Sequence, residues 1–94
     1  MGGLKKADSW AEAYAKANSL LLVVITYPSM SVKFTITIPK EGLTTSSESY
    51  LSGAYHSSNS YYALAVATIN TLSVSFYHNS VDKSTSVSYV VYYD

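Results

Sequence analysis

The stretch Ser86–Asp94, SVSYVVYYD, decides the fold class of this 94-residue chain. Its alternation predicts a β-strand with two faces, Val87, Tyr89, Val91 and Tyr93 on one and Ser86, Ser88, Val90 and Tyr92 on the other. Both faces become apolar towards Asp94, so one intramolecular layer cannot cover them. Because an edge strand with bare tyrosines invites uncontrolled pairing, we expect this strand to lie inside a sheet, beside a strand such as Leu72–Tyr77.

Further strands are predicted upstream of this stretch. Leu20–Tyr27, LLLVVITY, is continuously apolar, which predicts a strand buried on both faces. Val32–Ile38 alternates cleanly, and three more segments have strand character and turn signals between them: Tyr50–His56, Tyr61–Ile69 and Leu72–Tyr77. The pattern predicts a mainly β protein, a small antiparallel β-sandwich or meander of about six strands.

One short helix is expected near the start, over residues 8–18. Ser9 and Glu12 have the capping-box spacing, and alanines at every second position from 11 to 17 favour a helix that Asn18 can end in the left-handed conformation. Trp10 and Tyr14 share a face, which predicts a packing helix that covers one side of a sheet. Residues 1–7 are expected to be a linker or added residues, and residues 8–94 a single domain.

Composition limits the partners. The chain has no cysteine and no arginine, and its six lysines balance six acidic residues. Nucleic acid binding requires clustered cations, and the longest apolar run is far too short to span a bilayer, so neither nucleic acid nor membrane insertion is expected. A small β-rich chain without disulfides is usually reinforced by oligomerisation.

Signatures of catalysis or of a cofactor are missing from the sequence. With 17 serines and two histidines, a Ser-His-Asp grouping chosen by hand has no specificity. His56 and His78 are not at metal-ligand spacing. We therefore expect neither an enzyme nor a metal or cofactor site; a small glycan hydrolase using Glu48 or Asp82 is the weakest alternative.

Two turn-flanking segments, GAYHSSNSYY (residues 53–62) and FYHNSVD (residues 76–82), combine Tyr, His, Ser and Asn with few charges. Rigid aromatic area beside adaptable hydrogen-bonding groups is typical of binding surfaces, and tyrosine rings can pack on the apolar faces of sugars. The candidate ligand-binding residues are Tyr55, His56, Asn59, Tyr61, His78 and Asn79.

The strand Tyr61–Ile69 carries small apolar residues on one face, which permits close approach by another layer, either the helix or a second copy of the chain. The closing strand needs cover on both faces. The candidate oligomer-interface residues are therefore Tyr61, Ala63, Ala65, Val90 and Tyr92.

The order of five segments along the chain resembles that in the C-terminal tip domain of phage and prophage tail fibres. These segments are a Trp-containing segment, SLLLVVITY, FTITIPKEGL, YLSGAYHSSNSYY and a final VSYVVYYD. The resemblance covers residues 9–93. It implies a homotrimeric, β-rich, receptor-binding tip on the virion, which recognises the host surface extracellularly, commonly through a bacterial glycan. Asp94 departs from the pattern, because such tips more often end on a basic or uncharged residue. The alternative is a structural β-sandwich that only mediates assembly, such as a decoration or adhesion domain.

Overall fold

A computed structural model describes residues 3–94 as two antiparallel sheets and one α-helix. Sheet A has the strand order β1-β8-β2-β3 and sheet B the order β4-β5-β6-β7. The elements are β1 (Lys5–Lys6), α1 (Trp10–Lys16), β2 (Leu20–Tyr27), β3 (Val32–Pro39), β4 (Glu48–His56), β5 (Asn59–Ala67), β6 (Leu72–His78), β7 (Val81–Asp82) and β8 (Ser88–Tyr93). The prediction of a small antiparallel β-sandwich with one short helix is confirmed. β1 extends the folded domain upstream of residue 8, the boundary that the sequence suggested.

The closing strand β8 lies inside sheet A, as predicted, but its neighbour is not the strand that begins at Leu72. β8 pairs with β2 from Ser88 to Tyr93 and with β1 at Tyr92 and Tyr93. β2 and β8 both carry aliphatic side chains on both faces. Their pairing therefore places Val23 beside Val91 on the inner face and Val24 beside Val90 on the outer face. The strand that begins at Leu72 belongs instead to sheet B, between β5 and β7.

Sheet B is a meander of local hairpins. β4 and β5 are joined by a two-residue turn in which Ser57 has a positive φ of 58°. Asn79 and Ser80, in the turn between β6 and β7, also adopt the left-handed conformation. Asparagine tolerates this conformation because its short side chain can hydrogen-bond locally.

The core fills the space between the sheets, and the largest fully buried side chains are Phe76, Leu21, Ile25, Ile38 and Val23. The prediction that the strand Leu20–Tyr27 is buried on both faces is wrong for the single chain, in which only one face of this strand is buried. Only Leu21, Val23, Ile25 and Tyr27 are buried, and the alternate residues Leu20, Leu22, Val24 and Thr26 are half-exposed. The reason is that sheet A is covered by sheet B on one side only.

The helix packs as predicted, with Trp10 and Ala13 buried in the core. The Ser9 Oγ accepts a hydrogen bond from the Glu12 N–H, which confirms half of the capping box, but the Glu12 carboxylate accepts from the Asp8 N–H and not from Ser9. The Trp10 indole N–H donates to the Thr68 carbonyl at 2.9 Å. The helix therefore ties sheet A to the turn between β5 and β6.

The predicted helix end at Asn18 is wrong. The helix ends at Lys16, and its cap residue Ala17 is extended. The Asn18 N–H donates to the Asp94 carboxylate, which also accepts from the Ser19 N–H and hydroxyl and from the Leu20 N–H. These donors hold the pKa of Asp94 far below its usual range, with the Ser19 hydrogen bonds as the largest cause. Asp94 thus joins the end of β8 to the start of β2.

Within residues 3–94, the structure contains no helix that is both long and apolar enough to cross a bilayer.

Candidate binding surface

The six residues predicted to bind ligand fall into three different environments. Tyr61 is only 5% exposed, because its ring packs between the two sheets against Phe34 and Phe76. A ligand cannot reach this ring without opening the core. Tyr61 is therefore a core residue, and its prediction as a ligand contact is wrong.

Three of the six residues, Asn59, His78 and Asn79, form one hydrogen-bonded network at the end of the sandwich. His78 lies between two partners, with Nδ1 3.1 Å from the Tyr27 hydroxyl and Nε2 2.8 Å from Asn59 Oδ1. The Asn79 side-chain oxygen accepts from the Ser60 N–H at 2.7 Å. Because these polar atoms already satisfy one another, the network holds the two sheets and two turns together.

The remaining two predicted residues, Tyr55 and His56, are exposed beside the turn between β4 and β5. Tyr55 is 75% exposed. Tyr55 pairs directly with Ser60, so the two side chains share a face of sheet B. This is the outer face, because the next residue, Tyr61, points into the core. Of the six candidates, Tyr55 is the one that lies on an open aromatic surface.

That surface, which we call the tyrosine face, comprises Leu51, Gly53, Tyr55, Tyr62 and Tyr77 on the outer side of sheet B. Gly53 pairs with Tyr62, and Tyr62 with Tyr77. The rings of Tyr62 and Tyr77 are stacked, with centroids 4.6 Å apart and planes 13° from parallel. Leu51 and Tyr62 are 70% and 42% exposed. The tyrosine face is therefore broad, aromatic and open to solvent.

Gly53 creates a position without a side chain in the middle of this face. A Cβ there would come within 3.0 Å of the Tyr61 carbonyl oxygen and 3.4 Å of the Tyr62 Cβ. A side chain there would press on the Tyr61 carbonyl oxygen, so the close approach of β4 to β5 favours glycine. The outer face therefore carries no side chain at the position of β4 between Leu51 and Tyr55, opposite Tyr62.

Hydroxyl groups border the tyrosine face. Ser60, Ser73 and Ser75 share its side of the sheet through their positions in β5 and β6. Asp82, opposite Tyr77, is the residue on this face that carries charge at neutral pH. Hydrogen bonds from Ser84 lower the pKa of the Asp82 carboxyl group. The face thus combines aromatic area, hydroxyls and one carboxylate.

The sequence reasoning missed Tyr62, Tyr77, Leu51 and Gly53. The signal was present in YYALAVATI, because alternation puts Tyr62 on the face opposite to the buried Tyr61. Recognising the stacked pair also required the register between β5 and β6, which local sequence does not supply.

The predicted interface residues divide in a similar way. Tyr61, Ala63 and Ala65 line the core between the sheets, so their prediction as an oligomer interface is wrong; the layer that approaches the small residues of β5 is sheet A. Val90 and Tyr92 lie on the outer side of sheet A, where they pair with Val24 and Leu22. We call Leu20, Leu22, Val24, Val90 and Tyr92 the aliphatic face.

Within residues 3–94, no group of three or more His, Asp or Glu side chains is arranged to hold a metal ion. Comparison of the chain with protein-family models, with curated proteins and with solved structures found no match.

Proposed function

We propose that the protein is a non-enzymatic receptor-binding module, the homotrimeric tip domain of a phage tail fibre, which binds a saccharide of the bacterial surface through the tyrosine face. The observation that carries this proposal is the stacked pair of the exposed Tyr62 and the half-exposed Tyr77 beside Gly53. A contiguous patch of aromatic side chains on the surface of a small domain usually marks a binding site.

A saccharide fits the chemistry of this face. The C–H faces of a pyranose pack on tyrosine rings, and its hydroxyls bond to polar groups at the border. Tyrosine loses little conformational entropy on binding, and the Tyr62 ring is already held by its neighbour. Serine hydroxyls at positions 60, 73 and 75 supply donors and acceptors beside the rings.

The charge of the face also favours a neutral ligand. Asp82 is its one charged side chain at neutral pH, and lysines and arginines do not contribute to its strands β4, β5 and β6. A polyanion such as nucleic acid needs clustered cations, which this surface does not offer. A neutral hexose polymer meets no such requirement.

The aliphatic face supports the trimeric state of the proposal. Its five side chains are half-exposed on the outer side of sheet A, where no other element of residues 3–94 covers them. Threonines and lysines border it, including Lys33, Thr35 and Thr37 of β3. Apolar contact surrounded by polar residues is the usual anatomy of a protein interface.

The test is binding of the purified protein to a bacterial glycan array and to host cells. The double variant Tyr62→Ala/Tyr77→Ala should weaken saccharide binding by about 30- to 150-fold, because two ring contacts worth about 1–1.5 kcal/mol each disappear. The control variant Thr35→Ala/Thr37→Ala changes two exposed side chains on the opposite side of the molecule and should bind normally.

The control should melt close to the parent protein, whereas the tyrosine variant should melt lower by up to about 10 °C because it also loses the stacking energy. A melting transition that stays above the temperature of the binding assay separates loss of binding from loss of fold. Saccharide binding that survives in the tyrosine variant would overturn the proposed site. If the parent protein assembles but binds no glycan and no cell, the receptor-binding proposal is wrong and a purely structural assembly role is favoured.

A further inference from the structure

We infer that the outer edge of β8 is a second binding site, which accepts an extended peptide as an added β-strand. This site is distinct from the tyrosine face and does not depend on the proposed function. The edge lies in a cleft of about 450 Å³ between β8, the segment from Lys6 to Trp10, and Leu72 at the start of β6.

The backbone pairing of β8 is incomplete on this side. β2 pairs with β8 along its whole length, but β1 reaches only Tyr92 and Tyr93, and Ala7 adds one bond from its N–H to the Val91 carbonyl at 2.9 Å. The N–H and C=O groups of alternate residues point to the same side of a strand. The Tyr89 N–H and C=O therefore point into the cleft, where no strand of residues 3–94 pairs with them.

The side chains around this edge explain why the chain itself does not close it. After Ala7 the chain leaves β8 to begin the helix, and Trp10, whose indole N–H donates to the Thr68 carbonyl, is one of the residues that line the cleft. Tyr89, 44% exposed, also lines it. A residue paired with Tyr89 would place its side chain on the same side of the sheet as Tyr89 and Val91, in the cleft that Leu72 also lines.

A peptide fits this cleft better than a saccharide does. The Ser9 Oγ already accepts from the Glu12 N–H, and the Trp10 indole N–H already donates to the Thr68 carbonyl. The hydrogen-bonding groups that the edge itself presents are the main-chain N–H and C=O of Tyr89, a donor and an acceptor on the same side of the strand, which can pair with one residue of an extended peptide. Lys6 and Asp8 both lie in the lining, and Asp8 is the one at which an added strand in the direction of β1 would begin, so a lysine is chosen as the first residue of the test peptide.

The probe is the blocked peptide acetyl-Lys-Val-Thr-Val-Thr-amide, titrated into ¹⁵N-labelled protein and followed by NMR. We expect saturable shifts of the Tyr89 and Val91 amides and of the Trp10 indole. In an antiparallel hydrogen-bonded pair the two side chains share a face, so the valines that enter the cleft also direct their N–H groups to β8. N-methylation of both valines should therefore weaken binding at least about tenfold, whereas N-methylation of both threonines should not, since a lost hydrogen bond is worth about 1.4 kcal/mol.

A protein variant tests the same bond from the other side. Tyr89→Pro removes the N–H that faces the cleft and leaves the hydrogen bonds of Ser88 and Val90 to β2 in place. It should therefore lower the affinity for the peptide more than Tyr89→Ala, which keeps the N–H. The melting temperature of each variant reports its fold, and the methylated peptides test the site even if Tyr89→Pro does not fold. The proposal is overturned if the peptide does not shift Tyr89, if both methylated peptides bind equally, or if a neutral oligosaccharide occupies the cleft more tightly than the peptide.

Discussion

The two outer faces of the sandwich are built by the same alternation but carry different chemistry. The aliphatic face of sheet A consists of leucine and valine with one tyrosine, and its side chains are all half-exposed. The tyrosine face of sheet B includes Leu51 and Tyr55, which are 70% and 75% exposed. Closely packed aliphatic side chains gain free energy only when they are permanently covered, whereas tyrosine tolerates water because its hydroxyl remains hydrated. The contrast is consistent with the proposal of lasting assembly through the aliphatic face and reversible contact through the tyrosine face.

The largest expected effect comes from the core that both faces share. Trp10→Ala should lower the free energy of unfolding by about 3–5 kcal/mol, because it leaves a cavity and an unpaired Thr68 carbonyl. Trp10→Phe keeps most of the ring and should cost about 1–2 kcal/mol for the lost hydrogen bond. Urea unfolding followed by circular dichroism measures both. A Trp10 emission maximum typical of full solvent exposure would contradict the prediction.

The next effect is confined to the aliphatic face. Val24→Asp places a carboxylate opposite Val90, and in a trimer that buries this face it should weaken association by at least about 3 kcal/mol, more than a hundredfold. Size-exclusion chromatography with light scattering should show monomers. Leu51→Asp is the matched control on the tyrosine face and should leave the oligomer intact. A parent protein that is itself monomeric would show that no copy covers the aliphatic face.

A smaller effect concerns the stacked pair on the tyrosine face. A double-mutant cycle of Tyr62→Ala and Tyr77→Ala, measured by urea unfolding, should give a coupling energy of about 0.5–1.5 kcal/mol. The pair Leu51 and Leu64, also directly opposite each other in β4 and β5, is the aliphatic comparison in the same sheet. A coupling energy near zero for the two tyrosines would mean that the rings are not held together in solution.

The smallest expected effect is the pH dependence of stability that comes from Asp94. This residue is hydrogen-bonded to the start of β2, next to the aliphatic face. Its pKa is lowered from the ordinary value of 3.8, so its stabilising contribution is complete above that pH and is lost progressively as the pH falls below it. The urea midpoints of the parent protein and of Asp94→Asn should therefore differ at pH 7 and converge in acid. Midpoints that stay equally far apart down to pH 2 would contradict this explanation.

Local sequence predicted the elements better than their arrangement. Ser9, Glu12 and the alanines that follow were sufficient to place the start of the helix but not its end. Alternation, or a continuous apolar run at Leu20–Tyr27, placed the six long strands. The error at Leu20–Tyr27 arose because a continuous apolar run does not tell whether its second face is covered by the same chain or left half-exposed. The predicted neighbour of β8, Leu72–Tyr77, was wrong because the true partner, β2, is distant in sequence and its pairing depends on the whole fold.

The site was predicted less completely for the same reason. Tyr55 lies on the open face as expected, and Asn59, His78 and Asn79 do meet, but they satisfy one another's hydrogen bonds. Whether a polar side chain is free or engaged depends on contacts between turns, which alternation does not reveal. Tyr61 and Tyr62 are adjacent in sequence, and only the fold decides which ring is buried.

The position of β8 has a consequence for the order of folding. The strands of sheet B follow one another along the chain, so each hairpin can close as soon as it has been synthesised, at little cost in loop entropy. Sheet A cannot be completed in this way, because β2 begins at Leu20 and its partner β8 only at Ser88. Contacts of such long range slow folding. During translation β2 and β3 would form a two-stranded hairpin whose β2 edge stays unpaired until β8 has been synthesised. We expect chaperone binding or aggregation to be most frequent at that stage.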